Sequence, residues 1–368
     1  MTRPCRSATT CSNVMRVSFD RVGVAGALED FDLQVAAGET VVLLGPARAG
    51  AATALRVLAG LVCPTTGTVR VDGRDLTGVG PAERGTALVP RGFGLFPHLR
   101  VAENIAFGVR RSRMPRRVLV GRVVEMLELI GMAGQEKRWP HQLSGVEQLR
   151  VAVARALAVR PSALLLEEPL AALDAARRAP VLTELQRLRA LLPGMAVLYA
   201  TAEHAEALAL ADRIAVMDEV RLLQVGAAER LWRRPSSTAT AALLGAANLL
   251  PCTVRRVVGT SALVTVAHRA VCAQTPTGGA GMTPGTRALL CIRPHALRLV
   301  SLGDRDALRA NVRSSTWTGA TTRVELALTS MTDQHVTVDV PGRAHLGIGS
   351  EVGVRIPEPA GVVLPLAG

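Results

Sequence analysis

Apolar and polar positions alternate in long blocks through the first two thirds of the chain. Residues 40–61, TVVLLGPARAGAATALRVLAGL, predict an apolar strand, a turn-rich loop and a helix with Leu55, Leu58 and Leu61 on one face. Later blocks predict helices over residues 148–159, 179–192 and 205–211 and strands over residues 163–166, 195–201 and 214–217. This alternation indicates an α/β fold with a mostly parallel sheet, whose site lies at the carboxyl ends of the strands.

The flanking segments have shorter elements. Residues 15–35 predict two or three short strands, and residues 67–76 predict a strand, an Asp-Gly turn and a second strand. A strand ending near Val89 is followed by a mostly helical region to about residue 140, and Ser144 is suited to cap the next helix. Beyond residue 247, short strands between Gly/Pro turns favour a small all-β, OB-like barrel.

The loop at residues 45–52 has the frame of a phosphate-binding loop without its chemistry. A P-loop reads G-x-x-x-x-G-K-[ST], because backbone N–H groups surround the phosphates, the lysine reaches the β- and γ-oxygens and the hydroxyl binds Mg²⁺. Gly45 and Gly50 keep the spacing, but Ala51 replaces the lysine and Ala52 the hydroxyl residue. The backbone frame is therefore retained, and the two chemical groups are lost.

Composition and charge narrow the possible functions. The 368 residues, 49% of them hydrophobic, are enough for two folded domains. The formal net charge of +13 comes almost wholly from arginine, because Lys137 is the only lysine, so no second lysine can replace the missing one. Aromatic residues are 2% of the chain, which disfavours a nucleic-acid surface, and we expect no nucleic-acid partner.

The cysteines and the hydropathy indicate no metal centre and no membrane span. The six cysteines form no C-x-x-C pair and have no histidine at metal-ligand spacing, so we expect free thiols. The first fourteen residues lack an apolar signal region, and no run of 18 apolar residues occurs. We therefore expect a soluble protein, or one held at a membrane through partners.

The order of motifs resembles one family over nearly the whole chain. The segments GLFPHLRVAENIAFG (94–108), LSGVEQLRVAVARAL (143–157), LLLEEPLAALD (164–174) and EALALADRIAVM (206–217) are similar to the nucleotide-binding subunits of ABC transporters, specifically importer ATPases with a C-terminal TOBE domain. The resemblance implies a P-loop NTPase domain over residues 12–240, with a helical subdomain at about 95–155, and a TOBE-like β domain over residues 247–368.

The resemblance also implies a site at which two subunits enclose two nucleotides, each between one P-loop and the partner's signature loop. The implied catalytic positions are the general-base Glu168 and Ala202, the latter at the place of the switch histidine. The magnesium positions are Ala52, Arg91 and Glu167. The implied nucleotide-binding positions are Gly45, Pro46, Ala47, Arg48, Ala49, Gly50, Ala51, Ala52, Thr53, Val22, Arg91, Ser144, Gly145, Val146, Glu147 and Asp174.

Many of these positions depart from the family pattern. Arg91 replaces the glutamine that senses Mg²⁺, and Glu167 stands where Walker B has aspartate. In the signature loop, Val146 replaces the second glycine, and Glu147 brings a carboxylate close to the expected place of the partner's γ-phosphate. Three further positions also have a residue type other than the one in the family pattern. Val22 offers adenine no aromatic face, Arg48 stands in place of a small residue, and Ala202 stands in place of the switch histidine.

These losses predict weak binding of ATP and Mg²⁺ and no useful ATP hydrolysis. Loss of the lysine alone removes roughly 1.5–3 kcal/mol, or about 10- to 150-fold in affinity. Phosphoryl transfer depends on positioning and charge, so the combined losses remove the main source of acceleration. Arg48 or Arg91 could restore positive charge and His204 could replace the histidine, but solvated surface arginines and an ordinary helix-start histidine are the favoured interpretations.

Three hypotheses about function follow. The first is a subunit that couples ATP to uptake of a small solute, works as a homodimer or heterodimer on membrane permease subunits, and lies on the cytoplasmic face of the plasma membrane. The second is a non-catalytic structural or regulatory pseudo-ATPase, and the third is a decaying paralogue. The motifs look most similar to importers of iron(III), polyamines or phosphonates.

Overall fold

The computed structural model describes residues 15–112, 115–276, 282–331 and 333–366. Cys5 and Cys11 lie outside the described residues, as does the predicted domain start at residue 12. The chain divides into two compact units, Met1–Val225 and Gly226–Gly368. The domain limits at residues 240 and 247 stay predictions from the sequence.

The first unit carries ten strands and six α-helices among its described residues. In chain order these are β1 Met15–Val24, β2 Leu28–Ala36, β3 Thr40–Leu44, α1 Ala51–Ala59, β4 Thr66–Val71, β5 Arg74–Asp75, β6 Thr86–Val89, α2 Val101–Ala106, α3 Arg116–Leu129, α4 Gly145–Ala158, β7 Ala163–Glu167, α5 Ala175–Ala190, β8 Ala196–Thr201, α6 His204–Leu210, β9 Arg213–Asp218 and β10 Arg221–Ala227. Short 3₁₀ helices lie at Pro81–Glu83, Val109–Ser112 and Pro140–Gln142.

A six-stranded sheet with the order β10-β9-β3-β8-β7-β6 forms the centre of this unit. Strand β3 pairs in parallel with β8 and β9, and β7 pairs in parallel with β6 and β8. Every residue of β3, β7 and β8 is buried, as continuous apolar strands require when both sheet faces are covered. The predicted parallel α/β sheet is confirmed.

A second sheet, antiparallel and ordered β2-β1-β4-β5, packs with α1 and the central sheet around one hydrophobic core. The predicted Asp-Gly turn joins β4 to β5, and both Asp72 and Gly73 have positive φ angles, as a tight two-residue hairpin requires. Helices α2, α3 and α4 pack on one another, within the region predicted to be a helical subdomain.

The residues that cap the helices set the helix limits, and three predictions about these helices were wrong. Leu55 and Leu58 are buried on α1, but Leu61 is 59% exposed, because the helix ends at Ala59 before the left-handed Gly60. Helix α4 begins at Gly145 rather than 148, since the Ser144 hydroxyl accepts from the backbone N–H of Glu147. Helix α5 likewise begins four residues before the predicted 179, because a side chain caps it at residue 174.

The second unit is largely β structure. Its elements are α7 Ala228–Arg233, α8 Thr238–Leu243, β11 Asn248–Val258, β12 Ser261–Val266, β13 Arg269–Gln274, β14 Arg287–Ile292, β15 Arg298–Val300, β16 Ala307–Trp317, β17 Thr321–Leu328, β18 His335–Pro341, β19 Glu351–Arg355 and β20 Ala360–Pro365. Strands β11-β12-β13-β20-β14 close a barrel, and β15-β19-β16-β17-β18 form a sheet that shares its hydrophobic core. A small β barrel was predicted, and the sheet beside it completes the unit. Among the described helices of the whole chain, none has the length and apolar character needed to cross a membrane.

Candidate functional site

The phosphate-loop frame, residues 45–52, lies between β3 and α1. A Cβ atom on Gly45 would lie 2.4 Å from the Met217 carbonyl oxygen, so only glycine fits there. Gly50 has a φ of 97°, and a Cβ atom there would lie 3.0 Å from the Ala27 carbonyl oxygen. The backbone N–H of Gly45 donates to the Thr201 carbonyl at 3.2 Å. The fold itself therefore requires both glycines.

The side chains of this loop supply almost no polar chemistry. Pro46, Ala47 and Arg48 are exposed, and Arg48 has a φ of 76°, in the left-handed region that favours glycine. Ala49 and Ala51 are buried, whereas Ala52 and Thr53 are partly buried. Arg48 is the one charged residue from position 45 to 53. The side chains of residues 45–53 therefore offer a ligand a single charge, that of Arg48.

Two acidic residues end β7, and each faces an arginine. The buried Glu167 pairs with Arg56 of α1, with 2.6 Å between Oε1 and Nη2. Glu168, which has a positive φ of 41°, lies with its Oε2 atom 3.6 Å from Nη1 of Arg91. Each carboxylate of the Walker B position therefore lies beside a guanidinium group of the same chain, Glu167 at hydrogen-bond distance and Glu168 at a longer one.

This donor set does not fit Mg²⁺. Magnesium prefers six oxygen ligands in near-ideal octahedral geometry, but Ala52 presents a methyl group and Arg91 presents a cation. Repulsion between a cation and a second positive charge 4 Å away costs roughly 1 kcal/mol per unit charge in bulk water and roughly 4 kcal/mol near a protein surface. Among the residues described, no group of three or more His, Cys, Asp or Glu side chains is placed to hold a metal ion.

The signature-loop residues lie at the start of α4, where Glu147 closes a capping box. Its carboxylate accepts from the backbone N–H of Ser144 at 2.7 Å and forms an ion pair with Nη1 of Arg138 at 2.7 Å. The pKa of Glu147 is lowered, first by the Ser144 backbone hydrogen bond and further by Arg138, while partial burial opposes the shift. The carboxylate therefore has partners within its own chain, and its place near a partner's phosphate stays a prediction.

Ser144, Gly145 and Val146 line one wall of an open cleft of about 460 Å³. Phe93, Leu173 and residues of the first turns of α5 line the rest. The Val146 isopropyl group stands where a glycine would expose the backbone to a ligand, so this wall is more apolar than the family pattern implies. The cleft has room for a ligand but few polar groups to orient one.

The switch region at the end of β8 has an alanine at the position implied for the histidine. Ala202 is exposed, and His204 is exposed at the first position of α6. Two residues further, the buried Glu206 accepts hydrogen bonds from the Tyr199 hydroxyl at 2.6 Å and from Thr201 Oγ1 at 2.8 Å. Burial and the Glu206 carboxylate raise the pKa of Tyr199. This buried network ties the strand to the helix and stabilises the turn.

Two other predicted site positions have structural roles here. Val22 is 0% exposed and packs in the core, paired across the sheet with Phe31, so it presents no surface to an adenine ring. The contact expected of Val22 is thereby corrected. The Asp174 side chain accepts from the backbone N–H of Arg177 at 2.9 Å and caps α5.

Sequence reasoning missed three arginines that arrange this site. Arg56 and Arg138 pair with Glu167 and Glu147, and Arg155 of α4 donates to the carbonyls of Phe93 and Gly94 at 3.0 and 2.7 Å. Arg56 follows Ala52 by four residues, and this spacing places both residues on the same face of α1. No sequence signal marks Arg138, whose partner is set by the packing of the loop before α4.

Comparison with known proteins gives consistent matches to both units. A model of the ABC transporter family matches residues 28–171, and a TOBE domain model matches residues 290–364. The spermidine/putrescine import ATP-binding protein of Thermobifida fusca is 39% identical over 313 residues, which cover 83% of this chain and 80% of that protein.

The names of further relatives refer to different transported solutes. The putative 2-aminoethylphosphonate import ATP-binding protein of Salmonella typhimurium is 39% identical, covering 81% of this chain and 80% of that protein. An Fe(3+) ions import ATP-binding protein of Rhizobium meliloti is 37% identical, covering 90% of this chain and 86% of that protein. The solved structure of cbiO1 from Clostridium perfringens matches with a TM-score of 0.53 and 21% identity over 59% of this chain and 90% of that chain, a likeness of fold alone.

Proposed function

The chain belongs to the family of ABC importer ATP-binding subunits, and from that premise we propose that its own ATP hydrolysis is weak or absent. In this role the subunit binds nucleotide at residues 45–53 and docks on membrane permease subunits at the cytoplasmic face of the membrane. It works as a homodimer or beside a second ATPase subunit. The named solutes of its relatives make polyamines, phosphonates and iron(III) the candidate classes of cargo.

The observation that carries this proposal is the pairing of both Walker B carboxylates with arginines, beside a loop that lacks lysine and hydroxyl. Phosphoryl transfer is accelerated by positive groups placed beside the oxygens of the transferred phosphoryl group and by a positioned water molecule. Ala51 and Ala202 supply neither charge nor proton. Glu168 keeps the general-base position, but its charge faces Arg91.

Phosphate release from ATP with Mg²⁺ tests the proposal. We expect the purified chain to show no release above background, because no single group restores the lost charge. A back-substituted chain, Ala51→Lys with Ala52→Ser, Arg91→Gln, Glu167→Asp and Ala202→His, is expected to gain at least about 100-fold, since losses of one such group cost 10²–10³. Comparable turnover by the unmodified chain would overturn the assignment.

A second candidate is a non-catalytic structural or regulatory subunit that needs only a stable fold. The intact capping box of Ser144 and Glu147 favours it, because that turn is maintained while the catalytic groups are lost. Co-purification of the chain with permease subunits of its own organism, with and without ATP, separates the candidates. ATP-dependent association supports the nucleotide-coupled role, association independent of ATP supports the structural one, and no association favours a decaying paralogue.

A further inference from the structure

A cleft of about 500 Å³ opens in the second unit, between the barrel and the five-stranded sheet. Three segments form its walls: the turn between β12 and β13, the first residues of β16, and the turn between β17 and β18. The polar side chains that line it are His268, Arg269, Arg309, Thr329 and Ser330. We call it the barrel-sheet cleft.

Hydrogen bonds hold the three segments of the barrel-sheet cleft in place. Val266 and Arg269 pair across the two-residue turn between β12 and β13. The backbone N–H and the hydroxyl of Thr329 both donate to the Arg309 carbonyl, at 2.9 and 3.0 Å. Ser330 therefore follows a residue that is anchored to the Arg309 backbone.

The lining of the cleft carries positive charge and no carboxylate. Two arginines and one histidine line it, and no Asp or Glu is among its lining residues. Arg269 is already paired, because its Nη1 atom lies 3.2 Å from the Asp306 carboxylate and its Nη2 atom donates to the Arg305 carbonyl. The Arg309 guanidinium has no hydrogen bond or ion pair within the part of the chain that the structure describes. An uncompensated positive charge in a cleft attracts an anion.

The available donors suit an anion whose oxygens point in several directions. A guanidinium group offers five N–H donors, and the Ser330 hydroxyl and the neutral His268 imidazole each offer one. These donors come from three separate segments, whereas a planar carboxylate is satisfied by one arginine alone. Ala267, Ala307 and Leu308 supply the apolar part of the walls, where a small organic group fits.

We propose that the barrel-sheet cleft binds a small solute that bears a phosphate or phosphonate group. Arg309 contacts the anion, and His268 and Ser330 are further donors to it. The residues of this site belong to the second unit, whereas the loop at residues 45–52 belongs to the first. The site therefore does not depend on the proposed nucleotide-binding function or on the missing P-loop lysine.

Isothermal titration calorimetry of the full chain with inorganic phosphate and with methylphosphonate, at constant ionic strength, tests this inference. Both anions are expected to bind, and Arg309→Gln is expected to weaken binding by about 10-fold or more, the loss of one charged hydrogen bond. Arg313→Gln is the matched control, because Arg313 is exposed on the same face of β16, about 13 Å further along the strand, and does not line the cleft. We expect the control to bind within about twofold of the unmodified chain.

Ser330→Asp is a second variant, which adds a negative charge at an exposed turn position of the cleft. It is expected to weaken binding of phosphate by about fivefold or more through repulsion. Phosphate bound at residues 45–52 instead would be unaffected by Arg309→Gln and by Ser330→Asp, so the two variants distinguish the two units.

Four results would each overturn the inference. They are no binding of phosphate or methylphosphonate, equal affinities of the unmodified chain and either cleft variant, an equal loss on Arg313→Gln, and binding of acetate as tight as that of phosphate. The proposed function fails separately, through Mg²⁺-dependent phosphate release by the unmodified chain.

Discussion

At the scale of single residues, the chain keeps those whose loss would disturb its own backbone and, apart from Glu168, lacks those that act on a ligand. Gly45 and Gly50 are required by close carbonyl oxygens and by a left-handed turn. The Ser144 hydroxyl caps α4. Ala51 and Ala52, in contrast, replace side chains that a P-loop directs at the phosphates and the metal. A retained motif residue is therefore evidence that the fold is kept. It is evidence of ligand binding only where the side chains that contact the ligand are present as well.

Glu147 provides a pH-dependent test at this scale. Its pKa is lowered in the folded chain, so its contribution to stability is present above its unfolded pKa of about 4.3 and is lost as the pH falls through the lower folded value. Glu147→Gln keeps a capping side chain at every pH. We expect the stability difference between the two chains, about 1 kcal/mol or less near neutrality, to shrink on acidification from about pH 6 to about pH 3.

Urea unfolding at each pH measures this difference. Glu128→Gln, at an exposed position of α3 with the same charge change, is the control. A difference for Glu147→Gln that does not change with pH would show that the Ser144 and Arg138 contacts do not hold the carboxylate in solution.

At the scale of elements, α4 connects several parts of the candidate site. Its first turn carries the signature loop, Arg155 near its end holds the loop after Arg91, and Arg150 in its middle pairs with Glu184 of α5. The Glu184 carboxylate is buried and also accepts from Arg187. Helix α5 is in turn capped by Asp174, so the first turns of both helices are fixed by side chains.

Glu184→Gln tests the coupling of the two helices. The Arg150 contacts are bidentate, at 3.0 Å each, and the substitution leaves two arginines facing a neutral group. We expect a loss of about 2–3 kcal/mol in the free energy of unfolding. Glu125→Gln, which removes the exposed partner of Arg122 on α3, is expected to cost less than about 1 kcal/mol, because Arg122 keeps its bonds to the carbonyls of Leu157 and Ala158. Equal effects of the two substitutions in urea unfolding would contradict the role of Glu184.

At the scale of the whole molecule, each unit has its own hydrophobic core, and Arg293 organises the second one. Its Nη1 atom donates to the carbonyls of Ala241, Gly245 and Ala246, and its guanidinium carbon lies 4.0 Å from the centre of the Trp232 ring. Desolvation by burial lowers the pKa of Arg293. Helices α7 and α8 therefore supply partners for a buried charge of the barrel unit.

Two fragments test where the second unit begins. Residues 226–368 contain these partners, whereas residues 247–368, the domain predicted from sequence, lack them. We expect the longer fragment to fold cooperatively and the shorter one to be less stable by about 2 kcal/mol or more, because Arg293 loses its carbonyl acceptors and the aromatic face. Thermal unfolding followed by far-UV circular dichroism compares them. Equal midpoints would place the start of the unit at residue 247.

The sequence predicted most of the element order, and the misses have local physical causes. Apolar runs such as residues 163–166 specify buried parallel strands almost without context, because both faces must be covered. Helix limits were missed at α4 and α5, where the side chains of Ser144 and Asp174 accept hydrogen bonds from backbone N–H groups of the first turn. In the β unit, β20 pairs with β13 and β14, which lie far earlier in the chain, and a local pattern does not specify such partners.

The sequence by itself determined the family, the parallel sheet and the absence of the P-loop lysine and hydroxyl, since these depend on residue identity and local periodicity. Tertiary structure alone decided how the remaining charges are used: Glu167 against Arg56, Glu168 against Arg91, and Glu147 against its own helix. Charge pairing depends on distances of a few ångströms between segments up to 111 residues apart, which only the packed chain fixes.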